Sequence, residues 1–319
     1  MSFSAEVKNE LAHLPVPDRA SARAEAAGLV RAAGSLKRTG GAAGAFVGVV
    51  VATGNPAVAR YAKTLLAEGF GLDAAVSAYA SGGRVSSKRY LLSVSGSETA
   101  MRFLAEIGVL GSEDGLSALI PRLLPALVQT KACRKAFLRG LFLGAGSVAD
   151  PDRRYHFEMV VQNAAFAADV RRVMNAFTGI HAGVYERRDK VVVYLKSSEQ
   201  IKDMMGILGA DRHLLLYEQT RMIRELKGAA NRISNCDNAN VDRTLKATLA
   251  QRKAIARTQR QAGGIEALPP KLREAADLRL AHPEATLTEL GAMFSPPVSK
   301  SAAAARFTRI ARLANKKDR

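Results

Sequence analysis

The chain has 319 residues, 47 Lys+Arg against 29 Asp+Glu, and a formal net charge of +18. That excess favours a polyanionic partner, nucleic acid first and an anionic membrane surface second. A hydrophobic content of 48% supports real cores in two or three domains, while the lack of Trp and only 6% aromatics argue against the stacking platforms of single-strand binders. The opening Met1-Ser2-Phe3-Ser4 runs into Glu6, Lys8 and Glu10 without a signal-peptide apolar core. The longest apolar stretch, around Ala42 to Ala52, is too short and too Gly-broken to span a bilayer. Cys133 and Cys236 have no CxxC partner and no paired His. They fit a reduced cytoplasmic protein without a zinc site, and each is expected to be a small buried hydrophobe.

Residues 1–20 read as one short helix, capped by Ser4 and stopped by Pro15 and Pro17. A helical segment from Ala26 to Gly34, AAGLVRAAG, has a second copy from Leu138 to Gly146, LRGLFLGAG. Both carry Gly at the third and ninth positions and Leu at the fourth, and small residues so spaced let two helices approach closely. After each copy comes a strand run, Phe46 to Ala52 and Tyr155 to Val161, the first entered through a loop loosened by Gly40, Gly41 and Gly44. A polar Thr53-Gly54-Asn55 or Gln162-Asn163 follows, then a helical pattern holding Tyr61, Leu65 and Leu66, or Val170, Val173 and Phe177. Hairpins are expected over Val76 to Val94, with a turn at Ser81-Gly82-Gly83, and over His181 to Leu195. Each unit closes on a helix ending Gly108-Val109-Leu110-Gly111 or Gly206-Ile207-Leu208-Gly209. The order αββαββα thus recurs over about residues 20–111 and 130–210, an internal duplication within a first domain of residues 1–220. Arg84, Lys88 and Arg89 decorate one hairpin and Arg187, Arg188 and Lys190 the other, where they would suit DNA along a curved sheet or be merely solvated tips.

Beyond residue 220 the character changes. Residues 221–319 hold 20 Lys+Arg against 9 Asp+Glu, a net of +11 out of the total +18. Residues 221–264 read as a basic helical linker, with a helix break expected at the Asn-rich 231–240 because Asn side chains compete for helical backbone bonds. Gly263-Gly264 ends it, and residues 265–319 read as a small all-α domain. Pro269-Pro270 opens a helix to about Ala281, and Thr286-Leu287-Thr288-Glu289 is a capping box for a short helix to Phe294. Ser295-Pro296-Pro297 makes a turn, and a last helix starts near Ser299 or Ser301 with Ala303, Phe307, Ile310 and Ala314 on one face. Ala302, Arg306 and Arg309 are expected on the opposite face. This describes a helix-turn-helix, with a helical hairpin that merely packs on the rest as the plainer alternative.

The paired motif resembles the LAGLIDADG homing endonucleases. That resemblance implies a two-helix seam whose C-terminal ends each deliver an acid, at the motif's eighth position, to a divalent metal. Here the eighth positions are Ala33 and Ala145, and a methyl group is no ligand for Mg²⁺. The resemblance therefore implies the fold and argues against cleavage. Asp150 and Asp152 follow the second motif, but nothing acidic stands in the matching place of the first.

An acid-less LAGLIDADG-like domain, the stretch Asn231-Arg232, Asn235-Cys236 and Ala239-Asn240, and a terminal helix-turn-helix together resemble the WhiA family of bacterial regulators. Met1-Ser2-Phe3, Phe137-Leu138-Arg139-Gly140, Leu268-Pro269, Lys271-Leu272-Arg273, Thr286 to Gly291 and Val298-Ser299-Lys300-Ser301 also match. The resemblance implies an α+β, duplicated LAGLIDADG-like domain followed by an all-α DNA-binding domain. It implies a cytoplasmic, nucleoid-associated transcription factor on double-stranded DNA, acting without a cofactor in cell division, chromosome segregation and, in spore-formers, sporulation. In that last setting it implies a small iron–sulfur partner protein. The expected DNA contacts are Thr286, Ser299, Lys300, Ser301, Arg306 and Arg309, with Arg306 as the base reader and the hairpin cations secondary. The family's recognition helix usually continues Ser-Lys-Ser-Gly-x-Asn-His-Arg, whereas Ala304-Ala305 replaces the polar pair here and Pro296-Pro297 the Gly-containing turn. A metal-dependent endonuclease and a nonspecific nucleoid or RNA binder are the rival readings.

Overall fold

Two Gly-bearing helices organise the first of two units into which the chain divides, Met1–Arg224 and Glu225–Arg319. The computed structural model describes residues 2–38, 46–81, 87–113, 116–188, 190–261 and 263–316. Helix α1 spans Phe3–Leu11, and α2 spans Arg19–Ala33 behind Asp18, whose carboxylate accepts from the amides of Ala20 and Ser21, both at 3.1 Å. Strands β1 (Gly34–Arg38) and β2 (Phe46–Thr53) lead to α3 (Pro56–Phe70), the hairpin β3 (Ala75–Ser81) and β4 (Ser87–Ser95), and α4 (Ser97–Glu106). The second half repeats this with α5 (Lys131–Ala145), β7 (Gly146–Val148), β8 (Phe157–Val161), α6 (Ala164–Asn175), β9 (Gly183–Arg187), β10 (Lys190–Leu195) and α7 (Ser198–Leu208). Between the halves lies a short hairpin, β5 (Leu110–Glu113) and β6 (Leu116–Leu119). The two sheets have the same antiparallel order, β1-β2-β4-β3 and β7-β8-β10-β9, which is the duplication in three dimensions.

Helices α2 and α5 form the seam, and glycine sets its closeness. A Cβ at Gly28 would stand 2.2 Å from the Phe137 carbonyl oxygen, and one at Gly140 would stand 1.9 Å from the Glu25 carbonyl oxygen. Only hydrogen fits there, so the backbones touch. Leu29, Leu138, Leu141 and Phe142 are buried around the crossing, and the inward residues of both sheets close over it. Buried in the same seam is a carboxylate. Glu25 accepts from the Tyr61 hydroxyl at 2.8 Å and lies 3.5 Å from the Arg139 guanidinium, which also donates to the Leu208 carbonyl at 2.8 Å. A second ion pair ties the inter-repeat segment to α6: Arg122 grips buried Asp169 with two bonds of 2.7 Å.

Several sequence expectations are corrected. The cap of α1 is Ser2, whose hydroxyl accepts from the Ala5 amide at 3.3 Å, while the Ser4 hydroxyl instead accepts from the Val148 amide at 3.3 Å. The strands β1 and β7 begin at the closing glycines of the two motifs, where a loop was expected after the first. Gly40, Gly41, Gly44, Gly82 and Gly83 lie outside the described residues. The largest correction is α8, a 50-residue helix from Asp211 to Arg260 that runs unbroken through the Asn-rich stretch. Asn costs a helix only a fraction of a kcal/mol relative to Ala, its side chains here are exposed to water, and no Gly or Pro occurs between Gly228 and Gly263. With no breaker the hydrogen-bond ladder propagates. Cys133 is buried as expected, but Cys236 is exposed on this helix.

The second unit is helical. The last turns of α8 bury Ala254, Ile255 and Thr258, so part of residues 221–264 belongs to this unit's core. Helices α9 (Pro270–Ala281), α10 (Leu287–Met293) and α11 (Lys300–Lys316) complete it. Leu272, Ala276, Leu290, Phe294, Phe307 and Ile310 fill the centre.

Candidate nucleic-acid interface

The α10–turn–α11 pair is built by local chemistry. The Thr286 hydroxyl accepts from the Glu289 amide at 3.3 Å, and the Glu289 carboxylate accepts from the Thr286 amide at 2.7 Å. The Thr286 amide first, and the Thr286 hydroxyl beside it, hold the Glu289 carboxyl below its ordinary pKa, since both favour the charged form. The turn folds back because α10 carries Gly291. The Val298 amide donates to the Gly291 carbonyl at 2.8 Å, and a Cβ at Gly291 would stand 2.5 Å from the Val298 carbonyl oxygen. Ser299 then starts α11, its hydroxyl accepting from the Ala302 amide at 3.3 Å and lying 3.0 Å from that of Ser301.

Helix α11 buries Ala303, Phe307, Ile310 and Ala314, as its spacing predicted. The side directly opposite is Ser301, Ala305, Thr308 and Arg312, at i, i+4, i+7 and i+11, with Arg309 beside it, all exposed. Ser299, Lys300 and Ser301 cluster at the first turn, also exposed. Arg306 is the exception and a correction. Its guanidinium lies 4.2 Å from the centre of the Phe294 ring and 3.2 Å from the Glu274 carboxylate, and its side chain is only 16% exposed. Position 306 is three beyond Ala303 and four before Ile310, so it flanks the core instead of opposing it. The exposed Arg312 was missed, although the core spacing alone places it outward. Thr286 is exposed too, but the capping box already occupies its hydroxyl.

In the first unit, Arg84 lies outside the described residues. Lys88 and Arg89 are exposed neighbours on β4, and strand alternation puts them on opposite faces. Arg187 pairs with Lys190 across the β9–β10 hairpin, both exposed, and Arg188 takes a φ of 55° in its turn. On the outward face of that sheet, Tyr185 and Tyr194 meet edge to face at 5.3 Å and His156 stacks on Tyr194 at 6.3 Å. Glu158 there accepts from the Ser147 hydroxyl at 3.1 Å. The outward side of this sheet therefore carries aromatic rings and Glu158, with Lys196 lying 5.0 Å from the centre of the Tyr194 ring.

The seam ends on Ala33 at the C-terminus of α2 and Ala145 at that of α5. These methyl groups do not fit a divalent ion, which needs oxygen ligands, and among the described residues no cluster of three His, Cys, Asp or Glu stands ready to hold one.

Three family models match the chain: the WhiA N-terminal LAGLIDADG-like domain over residues 19–110, the WhiA LAGLIDADG-like domain over 134–227 and the WhiA C-terminal HTH domain over 230–314. A "Probable cell division protein WhiA" of Clostridium novyi is 35% identical, over 98% of this chain and 98% of its own. One of the same name from Alkaliphilus metalliredigens is also 35% identical, over 99% of this chain and 98% of its own. The crystal structure of full-length DUF199/WhiA from Thermatoga maritima superposes with a TM-score of 0.59 at 26% identity, covering 99% of each chain. With a duplicated LAGLIDADG-like unit, a helix-turn-helix unit and relatives that match from end to end, the chain belongs to the WhiA family.

Proposed function

We propose that this chain is a duplex-DNA-binding transcription regulator that reads its sites with α11 and acts at the nucleoid, in the cell-division processes for which its relatives are named. The observation that carries this reading is the solvent side of α11. Ser301, Ala305, Thr308, Arg309 and Arg312 lie along it, exposed and without a carboxylate among them. A helix with this face fits the major groove N-terminus first, where Arg reads guanine and a small residue such as Ala305 packs on a thymine methyl group. The LAGLIDADG-like unit has no acids at its motif ends, so it serves as a scaffold with weak, salt-sensitive DNA affinity or as a protein-binding unit, without strand cleavage.

The test is a randomised-site selection with the full chain, followed by titration of the selected duplex into wild type and the double variant Arg309→Ala/Arg312→Ala. Duplex binding should be lost in the variant, and random duplex and RNA should compete poorly with the selected site for wild type. Undiminished binding by the double variant, or equal competition by RNA, would overturn the reading.

A further inference from the structure

Helix α8 forms one wall of a cleft of about 530 Å³ within the second unit. Arg243, Thr244 and Thr248 line it from α8, and Thr286, Thr288 and Lys300 line it from the helix-turn-helix. No Asp or Glu is among its lining residues. The Arg243 Nε donates to the Ala239 carbonyl at 3.1 Å, which holds the side chain against its own helix and leaves the terminal nitrogens for a ligand. Neither Arg243 nor Lys300 has a carboxylate partner among the described residues, and both are exposed. The wall spacing is fixed from below. Arg279, 1% exposed, donates to Gln251 of α8 at 3.0 Å and to the Ala285 carbonyl just before α10 at 2.6 Å. Two cations without a carboxylate partner, with Thr248 and Thr288 beside them and no anion in the lining, make a site for an oxyanion. Lys300 opens the helix proposed to enter the groove, so the oxyanion nearest the cleft is a phosphate flanking that groove.

We infer that Arg243 of the long helix, with Lys300, clamps a backbone phosphate of the bound duplex beside α11. The clamp extends the DNA footprint beyond the helix-turn-helix onto α8. It carries no sequence information, and it fixes how far α11 slides and turns in the groove. The inference rests on the DNA reading of α11.

Its test measures the affinity of the full chain for a selected duplex and for a random-sequence duplex across a salt series. Arg243→Gln should weaken both to the same degree, about tenfold, and reduce the slope of log affinity against log salt by about 1 on each. Arg243→Lys should retain the slope. Arg252→Gln, exposed on α8 and not among the residues that line the cleft, should match wild type. The clamp is overturned if Arg243→Gln binds like wild type at every salt, or loses affinity with an unchanged slope, or loses it only on the selected duplex. If Arg309→Ala/Arg312→Ala also leaves duplex binding intact, the DNA reading of α11 fails; if that double variant loses binding while Arg243→Gln does not, the clamp alone fails.

Discussion

Arg306 lies over the face of Phe294, with its guanidinium carbon 4.2 Å from the ring centre and one nitrogen 3.2 Å from Glu274. Glu274 in turn accepts from the Ser295 amide at 2.8 Å, so a single arginine clips α11, the turn and α9 together. Arg306→Ala should therefore destabilise the second unit by roughly 1–2 kcal/mol, from a partly desolvated cation–π contact and its ion pair. Circular dichroism melting is the measurement. The base preference from a randomised-site selection should stay the same. A variant that melts like wild type but changes preference at one base position would show that Arg306 reads DNA after all.

The seam gives a sharper mutational prediction. Gly140→Ala adds only a methyl group, yet its Cβ would stand 1.9 Å from a backbone oxygen that no rotamer change moves. The helices must separate, which costs roughly 1–3 kcal/mol or more. Gly54 has nothing within 4 Å of a built Cβ, so Gly54→Ala is the matched control and should be tolerated. Chemical denaturation followed by tyrosine fluorescence suits this chain, which has 7 Tyr and no Trp. Equal midpoints for the two variants would refute the close crossing.

Glu25 predicts a pH dependence. Burial pushes its carboxyl up to about 7 from 4.5, against the opposing pull of the Arg139 charge and the Tyr61 hydroxyl. The folded chain thus holds a proton that the unfolded chain has released, and the stability linked to this group falls as pH rises from about 4.5 to about 7. The whole effect is on the order of 3 kcal/mol. Glu25→Gln keeps an acceptor for Tyr61 and cannot ionise. Relative to wild type the variant should gain stability between about pH 5 and about pH 8. A constant stability difference across that range would mean that Glu25 titrates normally.

The motif ends predict an absence of cleavage. Supercoiled plasmid incubated with the full chain and Mg²⁺ or Mn²⁺ should remain supercoiled, because Ala33 and Ala145 supply no metal ligand. Metal-dependent nicking that disappears when a nearby carboxylate such as Asp150 is replaced would contradict this.

Much of this architecture is written in local pattern. The glycine spacing of the two motifs marked the seam, because a close helix crossing tolerates few side chains. The capping box and the 303-307-310-314 spacing marked α10 and α11, because both are one-dimensional signals. Single residues mislead where their turn of helix decides their surroundings. Arg306 is expected opposite the core with Ala302 and Arg309, but it stands three residues from Ala303 on the core's flank. The Asn run suggests a break because Asn favours turns, but without Gly or Pro its cost is too small to stop the helix. Glu25 was invisible as a site because nothing near it in sequence announces that Tyr61 and Arg139 will surround it. The same holds for the cleft at Arg243, whose far wall comes from residues more than forty positions later.

The buried pair in the seam also bears on how a duplicated chain stays one chain. Motif alignment places Phe137 where the first repeat has Glu25, and Ala27 where the second has Arg139. The anion belongs to one repeat and the cation to the other. Two first repeats docked as α2 docks on α5 would set each Glu25 opposite Ala27 of the other copy, and two second repeats would set each Arg139 opposite Phe137. A buried ionisable group without its partner must stay charged in a dry interface or give up its charge, and either costs free energy. An ancestor that associated with itself would have had identical halves. In this protein the halves have become lock and key, so each repeat lacks in its own copy the partner that the other repeat supplies.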